Sequence, residues 1–97
     1  METILQKAEL VEKEKIGELH FPQTEVVADE AGRKLRLKDL SDATILGNIE
    51  HNKVKIVFED DKGVKYTETT IWAVGDKNIV LKSGITIPLH RIHRIII

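Results

Sequence analysis

The side chains best able to do chemistry gather in one short stretch, His90-Arg91-Ile92-His93-Arg94. His90 and His93 stand three residues apart. In a 3₁₀ turn that spacing stacks the side chains on one side, which offers two imidazoles to a single metal ion. On a strand the same residues point to opposite faces. A metal centre takes three or four ligands, and His20 and His51 bring no ligand spacing of their own. The chain has no cysteine, so thiolate ligation and disulfides are excluded. We therefore expect solvated or structural imidazoles, with no metal and no cofactor.

Arg91 and Arg94 are the best anion-binding candidates, because guanidinium presents a planar fork of donors to phosphate or carboxylate. Lys82, His90 and His93 complete a candidate basic face for RNA or another anionic partner. The competing reading pairs the arginines with acids of the N-terminal segment. Charge is unevenly distributed along the 97 residues: the balance is −5 over residues 1–30, zero over 31–76 and +4 over 77–97. The net charge of −1 gives no whole-chain case for nucleic acid.

Catalysis finds little support. No Gly-rich phosphate loop, zinc-protease motif or nucleophile motif is present. Ser41 and Ser83 are the only serines, and neither has a histidine close in sequence. Glu59-Asp60-Asp61 reads as a charged hairpin tip rather than an acid pair or a cation site. Base stacking on aromatics is limited by supply: the aromatics are Phe21, Phe58, Tyr66 and Trp72, with Phe58 and Trp72 expected in the core.

The elements that must position these residues follow from periodicity. Residues 3–16 read as a helix, with Thr3 as N-cap, an apolar stripe of Ile4, Leu5, Ala8 and Val11, and Gly17 as the C-terminal stop. Residues 25–28 and 33–37 read as a hairpin around Asp29-Glu30-Ala31-Gly32. Residues 38–46 read as a second helix whose face holds Leu37, Leu40, Ala43, Thr44 and Gly47, ended by Gly47-Asn48. The alternative there is a strand over 44–50, joined to 53–59 through His51-Asn52.

From Lys53 the period becomes two. Val54, Ile56 and Phe58 share a face, and Val57 points toward a second layer. Asp60-Asp61-Lys62-Gly63 is a turn, and residues 65–74 form one long strand that bends to serve two halves of a sheet. Turns follow at residues 75–78 and 82–84. Pro88 marks a strand end or an edge, and Leu89 to Ile92 make a 3₁₀ turn. Ile95 and Ile97 are placed on one face of the last strand and Ile96 on the other. That strand needs cover on both faces, from the N-terminal helix or from a second copy.

The length is that of a single domain with one modest core. Residues 1–37 supply a helix and the candidate hairpin, and residues 38–97 a helix and a β-barrel. No apolar run approaches the roughly 20 residues of a membrane span. Met1-Glu2-Thr3-Ile4-Leu5-Gln6-Lys7 is not a secretory leader, so a cytoplasmic address is expected. The fold class expected is mainly β with N-terminal helical elements, a small bent antiparallel five-stranded barrel of SH3-like or Sm-like form.

That ordering, carried by Val54-Lys55-Ile56-Val57-Phe58, Gly75-Asp76-Lys77-Asn78-Ile79-Val80-Leu81-Lys82 and Ile87-Pro88-Leu89-His90-Arg91-Ile92, resembles the Sm-like fold over residues 38–97. Within it the pattern resembles the bacterial Sm-like RNA chaperones. Those proteins carry Tyr-Lys-His at the fourth strand, lining an RNA pore. The matching place here is Leu89-His90-Arg91, so the resemblance implies that role for His90 or Arg91. Ile87-Pro88-Leu89-His90-Arg91-Ile92 is also similar to the Ile-Pro-Tyr-His-Arg-Ile of a small archaeal-type domain linked to RNA cyclic ends. With Leu46-Gly47-Asn48 and Thr69-Thr70-Ile71-Trp72-Ala73, the 37–97 pattern is most similar to small bacterial proteins of unknown function, which implies no activity. The functional expectation is a non-enzymatic interaction or scaffold module that self-associates through the C-terminal strand. The alternative is an RNA-binding protein using Lys82, His90, Arg91, His93 and Arg94.

Overall fold

The alternation that begins at Val54 builds the central hairpin. In a computed structural model, which describes residues 7–50 and 53–97, β2 (Val54–Glu59) pairs antiparallel with β3 (Val64–Thr69) in the register Val54↔Thr69 to Glu59↔Val64. The connecting turn is the one expected. Asp60 N donates to Gly63 O at 3.2 Å, and Gly63 adopts φ +152°, a region open to glycine. Two further strands flank the hairpin. On one side β1 (Glu9–Leu10) runs parallel to β3, and on the other β7 (Ile92–Ile96) runs antiparallel to β2. The order of this four-stranded sheet is β1-β3-β2-β7.

At Thr70 the chain leaves this sheet and begins a second one. Its strands are β4 (Ile71–Val74), β5 (Asn78–Leu81) and β6 (Thr86–Pro88), antiparallel and in that spatial order. Pro88 ends an edge strand, as its missing N–H requires. A 3₁₀ turn, Leu89–Arg91, then carries the chain back to β7. The structure corrects the expected five-stranded barrel. The strands form separate four- and three-stranded sheets that do not close, and with the long helix they make a small mixed α/β domain.

The N-terminal third departs most from expectation. Thr3, Ile4 and Leu5 lie outside the described residues. From Ala8 to Glu12 the chain is not helical, so the helix expected over 3–16 is interrupted. Glu9–Leu10 forms β1, and Val11 N donates to Tyr66 O at 2.8 Å. The apolar stripe of residues 8–11 is thin, and an open edge of β3 offers backbone partners instead. Lys13–Glu18 is a 3₁₀ helix that buries Ile16.

No hairpin forms around residues 29–32. A single helix, α1 (Glu30–Glu50), occupies both the second arm of that hairpin and the expected second helix. Asp29 begins it, its Oδ2 accepting from Gly32 N at 2.9 Å. The inner face of α1 carries Arg36, Leu40, Ala43 and Gly47. Arg36 is only 7% exposed, and this buried cation hides the helical period from a reading by hydrophobicity. Gly47 does not end the helix. It lies inside it, so close to β4 that a Cβ there would stand 2.8 Å from Ile71 O.

One core joins all of these parts. Ile16, Leu40, Ala43, Ile56, Phe58, Ile71, Ile79, Leu81, Ile87, Ile92 and Ile95 are buried together. Phe21 packs its ring against Phe58 at 5.9 Å. Trp72 corrects another expectation, being 48% exposed. The β4–β5 register shifts between Ile71 and Ala73, so Trp72 is the unpaired residue of a bulge. The register between β2 and β7 also shifts, at Val57/Phe58. His93 is the extra residue there, so Ile92 and Ile95, three apart, both face inward, while Ile96 is half-buried and Ile97 exposed. Among the described residues no helix is long and apolar enough to cross a membrane.

Candidate functional site

Arg91 does not share an outer rim with Arg94. It is 5% exposed, and its donors go to three backbone carbonyls. Nε donates to Glu59 O at 2.9 Å, Nη1 to Thr24 O at 2.7 Å and Nη2 to Asp60 O at 3.3 Å. This guanidinium holds the irregular segment around Thr24 against the end of β2. Its histidine neighbours also face protein. His90 Nε2 lies 2.9 Å from Pro22 O and His93 Nε2 lies 2.8 Å from Glu59 Oε1. Both nitrogens donate, since neither oxygen can. Arg94 is exposed on β7, opposite Val57, and Lys82 is exposed in the turn after β5. Lys82 lines a different depression from His90, among Glu12, Glu14, Lys53 and Glu68.

Two ion pairs complete the internal framework. Arg36 takes Glu25 in a bidentate grip, Nη1 to Oε2 at 2.8 Å and Nη2 to Oε1 at 2.7 Å, while Nη1 also donates to Ile92 O. That grip holds the Glu25 carboxyl well below its ordinary 4.5, at about 2. Asp60 Oδ1 accepts from Lys65 Nζ at 2.9 Å and from the backbone N–H groups of Lys62 and Gly63. Burial pushes the Asp60 carboxyl up, but Lys65 and the two amides outweigh it, and the net shift is downward. Among the described residues no group of three or more His, Asp or Glu side chains is placed to hold a metal.

What faces outward lies along α1. Arg33, Leu37, Ser41 and Ile45 recur every four residues and so form one row on the helix surface. Opposite them stand the end of β4 and the turn that follows it. The helix packs against β4 at Gly47, and a depression lies between the helix and Val74 at the strand's end. One part, about 370 Å³, is lined by Leu37, Ser41, Thr44, Ile45 and Val74. Leu37, Ile45 and Val74 are 53%, 54% and 37% exposed. Leu37 also borders the second part, about 750 Å³, which Arg33, Lys77 and His90 help to line.

Of the residues expected to bind a ligand, only His90 belongs to this groove. Leu37, Ile45, Val74 and Arg33 were legible only in part. Leu37 read as the core face of a helix, and Arg33 as one arm of a hairpin. A helical period run through residues 30–50 places Arg33, Leu37, Ser41 and Ile45 in line. Comparison of the chain with protein-family models, with curated proteins and with solved structures finds no match.

Proposed function

We propose that this protein is a non-catalytic interaction module that docks another polypeptide in the groove between α1 and β4. The observation that carries the reading is the alignment of Leu37, Ile45 and Val74, three exposed aliphatic side chains on two elements that line one depression. Scattered surface aliphatics are ordinary, whereas a shared apolar depression rimmed by polar groups is the form of a docking surface. The titratable groups inside the molecule support the same reading. Arg36 is engaged by Glu25 and Ile92 O, Arg91 by three backbone carbonyls and Asp60 by Lys65, so these buried charges are taken up by the protein's own framework.

Selection from a display library of random short peptides on the immobilised protein tests this. Peptides should be enriched on the parent chain and not on Ile45→Glu, a substitution at an exposed site that leaves stability within about 0.5 kcal/mol. Equal enrichment on both proteins, or none on either, removes the reading.

A further inference from the structure

We infer that the segment docked in this groove is extended and carries a carboxylate, held by Arg33 and Lys77, beside its apolar anchors. The inference rests on the proposed docking function and specifies its partner. The row from Arg33 to Ile45 runs over three successive four-residue steps of helix, about 18 Å. An extended chain of about five residues spans that distance. On the opposite wall Val74 lines the apolar part, and Asp76, Lys77 and Asn78, which follow it in sequence, line the other.

Charge divides the trough. Its apolar part holds no ionised side chain. In the other part Arg36 and Glu25 cancel each other in their bidentate pair. Arg33, Lys77 and Asp76 remain, and among the described residues no acid pairs with Arg33 or Lys77. Arg33 is also fixed in place. Its Nη1 donates to Val27 O and Ala28 O, both at 2.9 Å, which orients the guanidinium and leaves Nε and Nη2 unengaged. A guanidinium held by one edge and free at the other is prepared to receive a carboxylate with little loss of side-chain freedom. Lys77 stands at the tip of the facing turn, where Leu89 N donates to its carbonyl at 2.9 Å. A partner with apolar side chains toward Ile45 and an acid toward Arg33 satisfies both parts of the trough.

The test uses the peptides selected on the 97-residue chain. They should carry Asp or Glu to one side of an apolar pair. Replacing that acid by its amide should weaken binding about tenfold at low salt and less at high salt. Lys77→Glu should weaken the acidic peptide and spare the amide version. Arg33→Ala should remove the preference between the two. Selected peptides that lack an acid, or that tolerate the amide change on the parent protein, overturn this inference while leaving the docking function standing. Absence of any enrichment overturns both. A dimer in light scattering that Ile45→Glu converts to monomer assigns the groove to a second copy and overturns the peptide partner.

Discussion

Arg91 Nη1 donates to the carbonyl of Thr24 at 2.7 Å, across 67 positions of sequence. The bond makes a residue from a basic stretch into an internal strap between the N-terminal irregular segment and the sheet. Arg91→Ala should therefore cost about 3 kcal/mol, since the buried guanidinium's packing is lost and three carbonyls, that of Asp60 buried and those of Thr24 and Glu59 partly so, lose their donor. Arg94→Ala, three positions on and exposed, should stay within about 0.5 kcal/mol. Urea unfolding of the two variants checks the contrast, and equal costs would contradict the placement.

Glu25 makes stability depend on acid. Its carboxyl binds a proton less tightly folded than unfolded, at about 2 against 4.5. The stabilisation from this group is thus complete above pH 4.5 and is lost as pH falls through about 2. At full value the shift is worth about 3 kcal/mol. Partial exposure of the Glu25 side chain lowers this to about 2. Glu25→Gln should lose that amount at pH 7 and converge with the parent at the acid end, as read by denaturant titrations across pH.

At Gly47 α1 packs directly against the start of β4. Alanine gains about 1 kcal/mol over glycine inside a helix. Its Cβ, however, would meet Ile71 O at 2.8 Å and Thr70 Cγ2 at 2.9 Å. Overpacking of that kind costs about 1–3 kcal/mol, so Gly47→Ala should be destabilising by about 1 kcal/mol net. A rise in melting temperature would mean that the two elements separate freely.

Trp72 is the only tryptophan in the chain, and the bulge in β4 turns it toward solvent. Acrylamide should quench its fluorescence in the native protein nearly as well as in the unfolded one, with little shift in emission maximum between the states. Strong protection in the native state would place the side chain in the core.

Much of the strand pattern from Val54 onward was readable because it states its environment locally, although the one long strand expected over residues 65–74 divides at Thr70 between two sheets. Val54, Ile56 and Phe58 keep a two-residue period, interrupted on the other face only by Val57, Asp60-Asp61-Lys62-Gly63 can only turn, and Pro88 can only end or edge a ladder. Those features rest on backbone stereochemistry and a two-residue period, and no distant contact alters them. The long helix was hidden for the opposite reason. Its buried seam runs through Arg36, whose charge is tolerated inside because Glu25 and Ile92 O receive it. Neither partner can be inferred from the residues near position 36.

The fate of the basic C-terminal stretch was decided in the same way. Residue types announced donors at Arg91, His90 and His93, and the local order placed them on a 3₁₀ turn and a strand. Whether those donors meet solvent, a ligand or the protein's own carbonyls depends on which segment crosses them. Burial and hydrogen bonding across long sequence separations settle that, and they exist only once the chain has folded. The groove along α1 has the same origin, since its two walls are brought together by packing at Gly47 and by nothing adjacent in the chain.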